Sequence, residues 1–306
     1  MKRALNVAPL LFATLAFLSA PSHAADTRAY TANRSLPKVD GVLASTNVKT
    51  DVVDTQTAAG TASEATFKIP APVHGPLHDW ISLALTGMAA PKAIEIVSVD
   101  ASYNAVSAQT FPSASIQEID FPAFDGSSRD VGQITMKLAR TSSTKVADTT
   151  HYTLPAAKTK EIKANNFSFR LDGLDLSRTT KLGALAVQLA PAPPKSAERP
   201  ATQRPEGSVA VHRGRPASQL VTPGTLVATL QIGGPGAAAY AQLQQWLSSG
   251  ASPKNGAIVM FDDMLQNAVC TVTITRVAVS RITADSQTGR ATVEMTVGGV
   301  GFSCLQ

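Results

Sequence analysis

Cysteine is scarce in this 306-residue chain, with two in all. That excludes a disulfide-dense scaffold and a four-cysteine zinc site. Aromatic side chains are only 5% of the residues, which argues against a surface that stacks many bases or sugar rings. Charged side chains are also sparse, at 16%. Basic residues number 27 against 22 acidic, and 25 against 22 without Lys2 and Arg3. So even a balance does not point to nucleic acid unless the basic residues cluster. After the first 24 residues no stretch approaches 18 unbroken apolar positions, so no membrane span is expected there. The G-x-S-x-G and H-E-x-x-H motifs are missing. S-x-x-K occurs twice, at Ser35 to Lys38 and Ser142 to Lys145, but S-D-N and K-T-G do not accompany it. The reading therefore contains no catalytic residue, no cofactor and no metal ligand, and the chain is not expected to be an enzyme.

Apolar residues, by contrast, are plentiful at 44%. That rules out wholesale disorder, and the length suits about two domains. The start is an export signal. Lys2 and Arg3 precede a mostly apolar run from Ala4 to Ala20, and Ser22-His23-Ala24 puts small residues at −3 and −1 of a cleavage site. Residues 1–24 are read as a signal peptide, and the remainder as a periplasmic or secreted protein with no membrane span after cleavage.

One pattern then occurs twice. Val39-Asp40-Gly41-Val42 matches Leu171-Asp172-Gly173-Leu174. Leu77 to Ile81, holding Trp80, matches Leu243 to Leu247, holding Trp246. Pro91-Lys92 matches Pro253-Lys254, and an aspartate follows each lysine by eight positions, at Asp100 and Asp262. Asn104-Ala105-Val106 matches Asn267-Ala268-Val269, and Met136 falls under Met295 in the last long strand. The organisation that follows is two tandem β domains, 25–160 and 161–306, each with one packed α-helix.

Within each copy, short runs rich in β-branched residues are separated by Gly, Pro, Ser and Asn, which is strand patterning. In the first copy these runs are 38–43, 48–54, 65–69, 94–99, 105–110, 116–121 and 131–139. In the second they are 225–230, 257–261, 268–282 and 291–297. One helix is expected from Pro76 to Gly87, with Leu77, Trp80, Ile81 and Leu85 on one face, and its counterpart over 237–249. Trp80 and Trp246 read as core anchors.

The copies differ in spacing. From the Asp-Gly pair to the tryptophan is 40 residues in the first and 74 in the second. The excess falls in a Pro-rich basic insertion, 191–223, which contains Lys195, Arg199, Arg204, Arg213 and Arg215. It reads as a solvated loop, or as a basic arm for an acidic protein surface. Gly234, Gly236 and Ala239 form G-x-G-x-x-A after a strand and before a helix, the pattern of a dinucleotide-binding turn. The first copy has the same strand, helix and strand without those glycines, so the architecture does not need them. His74 and His78 flank Gly75-Pro76 and read as surface residues at a helix start. Cys270 and Cys304 sit in strand-like contexts behind an export signal, so a disulfide between them is expected.

The order of these pieces resembles the tail tube proteins of contractile phages and the tube protein of type VI secretion. The resemblance rests on the Asp-Gly elements at Val39 to Val42 and Phe169 to Leu174, the Trp segments, and the runs Lys92 to Asp100 and Lys254 to Asp262. It implies β-barrel or sandwich units with one packed helix and ring assembly through barrel edges. Three two-copy chains would then imitate a six-subunit ring. The chain differs from that family in having an export signal and two copies. Three functions follow as expectations: a structural or assembly protein, an exported binding module using the basic insertion, and, as the weakest, a dinucleotide enzyme.

Overall fold

The computed structural model describes residues 34–44, 48–57, 60–153, 160–191 and 219–305. The signal segment and the five basic residues Lys195, Arg199, Arg204, Arg213 and Arg215 lie outside the described residues.

The fold is mainly β. In the first half the strands are β1 (Arg34–Val39), β2 (Val42–Leu43), β3 (Lys49–Thr57), β4 (Gly60–Pro70), β5 (Lys92–Val99), β6 (Ala105–Ala114), β7 (Ile116–Phe121), β8 (Phe124–Asp125), β9 (Gln133–Leu138), β10 (Thr141–Ser142) and β11 (Thr144–Ala147), with helix α1 (Gly75–Leu85) between β4 and β5. The second half has β12 (Phe167–Leu171), β13 (Thr179–Leu182), β14 (Leu185–Pro191), β15 (Gln219–Pro223), β16 (Thr225–Gln231), β17 (Lys254–Phe261), β18 (Ala268–Asp285), β19 (Arg290–Thr296) and β20 (Gly299–Cys304), with α2 (Ala237–Ser249) between β16 and β17.

The strands alternate buried and exposed positions, as period-2 geometry requires. On β9, Ile134, Met136 and Leu138 face the core, while Gln133, Thr135 and Lys137 face out. α1 starts with Pro76 in its first turn and buries Leu77, Trp80, Ile81, Ala84 and Leu85, a three-and-four spacing. It ends at Gly87, whose φ of 73° is one that β-carbon residues rarely adopt.

The matched sequence landmarks make matching contacts. β1 pairs antiparallel with β5, and β12 with β17. At the two Asp-Gly turns, Asp40 N donates to Ala93 O (2.8 Å) and Asp172 N to Asn255 O (2.9 Å). The Trp80 indole donates to Ala90 O at 3.2 Å, and the Trp246 indole to Ser252 O at 3.3 Å. Asp100 accepts from the backbone of Ser102 and Asn104, and Asp262 from that of Met264 and Gln266. The two loops also hold Tyr103 and Leu265 at positive φ, 63° and 57°. Met136 faces Phe67 across β4, and Met295 faces Leu226 across β16.

Strand pairing crosses the boundary expected near residue 160 in two places. β14 of the second half lies on β7 of the first, and β8 of the first lies on β13 of the second. The halves therefore share sheets, of seven and eight strands, and one apolar core runs through both. All described residues belong to one compact unit.

Candidate functional site

Side chains from both halves converge on the seam between them. β14 adds to the edge of β7, with Leu185 opposite Phe121, Val187 opposite Ile119 and Gln188 opposite Glu118. Leu185, Val187 and Leu189 are buried, as are Ile119 and Phe121. Burying such a face contributes roughly 25 cal/mol per Å2 of apolar surface. Beside it, α1 rests on β20. Ser82 Oγ donates to Phe302 O (3.1 Å), and the backbone N of Cys304 donates to His78 Nε2 (3.3 Å). The Phe302 ring lies 5.6 Å from that of His78 and 5.5 Å from that of Phe121. His78 is thus a seam residue and not the surface histidine expected. Gly87 completes this contact. Its carbonyl accepts from Gln219 N at 2.9 Å, and a side chain there would meet Gln219 O at 2.6 Å.

The disulfide Cys270–Cys304 fastens the last rung of β20 to β18. It therefore holds the strand on which α1 rests. Trp80 and Trp246 are both buried, 1% and 6% exposed.

On the outward face of the same seam, Glu118 and Asp120 sit two apart on β7 beside Lys137 of β9. Lys137 Nζ is 2.9 Å from Glu118 and 4.0 Å from Asp120. Burial and the neighbouring Glu118 carboxylate push Asp120 up to about 6, against the pull of Lys137. Burial also works to raise Glu118, but hydrogen bonds from Lys137 and Gln188 hold it below the ordinary value. Lower down the seam Lys181 and Asp125 form the pair that ties β8 to β13. Hydrogen bonds from Lys181 and Ser127 depress the Asp125 carboxyl. A cavity of about 740 Å3 opens at the upper end of the seam between Ile116, Leu189, Pro191 and Gln219, with Glu64 and Arg140 also in its lining. Gln219 Oε1 is buried there with no hydrogen-bond partner.

The glycines of G-x-G-x-x-A have another cause. Gly234–Gly236 is a single 3-10 turn that leads into α2. A side chain on Gly236 would collide with the carbonyl of Gln231, so the glycine admits the chain's own backbone. β16 and β17 do not pair with one another, and every described strand pair is antiparallel. The parallel βαβ unit that a dinucleotide turn requires is not formed by these elements. Among the described residues no three His, Cys, Asp or Glu side chains group as a metal site. No described helix is long and apolar enough to cross a membrane.

Sequence reading missed β14, the carboxylate pair and the place of His78. The signal for the pair was present in Glu118-Ile119-Asp120, because residues two apart share a strand face. Its partner Lys137 came only with the β7–β9 register.

No protein-family model and no curated protein matches the chain. Solved structures give remote similarities to contractile injection assemblies. The sheath-tube complex of the PVC extracellular contractile injection system aligns at 18% identity and a TM-score of 0.29, over 37% of this chain and 88% of that one. The tube-terminating cap of the anti-feeding prophage aligns at 14% and 0.28, over 37% and 88%. The baseplate of the same prophage aligns at 13% and 0.28, over 51% and 99%.

Proposed function

We propose that this chain is an exported, non-enzymatic structural subunit made of two fused tail-tube-like units, and that it assembles with copies of itself. The observation that carries this reading is the seam. The chain already joins one unit to the other by adding a strand, β14, to a sheet edge, β7. A unit built to add strands to a like unit is a building block, and head-to-tail repetition of such a contact gives rings or filaments. The landmark contacts repeated at Asp40 and Asp172, Trp80 and Trp246, and Asp100 and Asp262 support two units of common origin. A ring of three chains, six units in all, is the simplest closure.

Two measurements test this. Amino-terminal sequencing of the exported protein should begin at Ala25. Light scattering of that processed protein should give a mass several times that of one chain. A full-length amino terminus removes the export claim, and a monomer at high concentration removes assembly.

A further inference from the structure

We propose that the free edge of β18 over Val279–Asp285, together with the outward side of α2, is the docking surface for a second copy of this chain, whose β3 lies there as β14 lies on β7. This rests on the reading of the chain as a self-assembling subunit.

Both sides of the contact are open. Among the described residues, β3 pairs only with β4, so its outer edge has no partner. The last third of β18 pairs with β19 on one side, and β17 reaches only to Val277 on the other. Unpaired edges of this kind are templates for strand addition.

The matched methionines fix the register. Met136 faces Ile119 on β7, and Met295 faces Val279 on β18. Val279 therefore stands where Ile119 stands. Glu64, three residues before Phe67, faces Val53; Pro223, three residues before Leu226, faces Val187. Val53 therefore stands where Val187 stands. Since Val187 faces Ile119 within the chain, Val53 of one copy faces Val279 of the next.

Burial agrees with this placement. Val187 and Ile119 are both fully buried, whereas Val53 is 63% exposed and Val279 only half-buried. Val53 also shares a face with Glu64, away from its own core. Charge agrees as well. Arg281 faces Glu294, as Asp120 faces Thr135, so Arg281 takes the place of Asp120. In the docked pair it faces Val52, the counterpart of Ala186, and lies two rungs from Asp54, the counterpart of Gln188, a diagonal that a long arginine side chain can span between base and acid.

The helices complete the comparison. Leu247 of α2 is 39% exposed where Ile81 of α1 is fully buried under the seam. Gln244 and Ser248, at the positions of His78 and Ser82, bond only within their own helix, to Tyr240 Oη and Gln245 O. β11 pairs with β6 as β20 pairs with the first part of β18. On docking, β11 of the second copy comes to lie beside α2.

The test uses two single variants of the processed full chain, Val53→Cys and Val279→Cys. The native cysteines are already bonded to each other, so each variant carries one free thiol. Mixed under mild oxidation, the two should give a covalent dimer that neither gives alone. The double variant should give a ladder of covalent multimers. A mixture that stays unlinked while light scattering shows oligomers overturns this surface and leaves self-assembly standing. A chain that is monomeric throughout overturns both. Val53→Asp gives an independent check, because the side chain is exposed in the single chain and the fold should tolerate it. Its mass should fall towards the monomer; an unchanged oligomer mass counts against the surface.

Discussion

α1 and α2 carry the same tryptophan on the same face, yet one is sandwiched and the other is half bare. α1 is closed on its second side by β20 and β15 from the other half. α2 has no such cover among the described residues, and Leu247 is left exposed. The same asymmetry separates the strands. β7 is flanked by β9 and β14, while among the described residues the end of β18 has only β19. What differs is the neighbour that each helix and each strand has within the chain.

Substitutions ranked by size sharpen that comparison. Trp80→Ala should cost roughly 3–5 kcal/mol in chemical denaturation, and Trp246→Ala about 1 less, because its surroundings can relax into solvent. Equal costs would mean that the second side of α1 adds nothing. Replacing Cys270 and Cys304 by serine should cost roughly 3–4 kcal/mol for a loop of this size. It should also expose the α1 seam, read as faster proteolysis near His78. Stability lost without any opening at His78 would separate the disulfide from the seam. Ile81→Ala should cost roughly 2–4 kcal/mol and Leu247→Ala under about 1 in the isolated chain. On assembly, Leu247→Ala should weaken association; if it does not, α2 is not at the contact.

The smallest effect is electrostatic. Asp120 rises from 3.8 to about 6 in the folded chain. A carboxyl whose folded pKa is raised costs stability above that pKa, and the cost fades as pH falls towards the unfolded value. Asp120→Asn should therefore be more stable than the parent at pH 7.5, by about 1 kcal/mol after allowance for solvent access. The gap should close between about pH 6 and pH 4. A gap that widens in that window would reverse the assignment of the raised carboxyl from Asp120 to Glu118.

Much of this fold was legible in the residues. α1, α2, β7 and the start of β18 follow from apolar spacing bounded by Pro and Gly. The Asp-Gly, Trp and Asp landmarks were visible because each is a local device: a turn, a core anchor and a loop-capping carboxylate. The seam was not legible. β14 and β15 flank the proline-rich insertion, so Gln219 to Pro223 looked like part of one long loop. Pro191 and Pro223 sit in a hairpin whose partner edge lies over 60 residues away in sequence, and no local pattern carries that pairing. His78 was hidden for the same reason, since what covers it is the C-terminal strand.

The central claim is that the free edges of β3 and β18 complete one another. Amide hydrogen exchange of the processed protein, compared with Val53→Asp, tests it most directly. The account predicts that assembly protects the backbone amides of Thr50–Thr55 and Val279–Thr283 together, and that Val53→Asp loses protection at both. Oligomers in which these two segments exchange as freely as in the variant would contradict it.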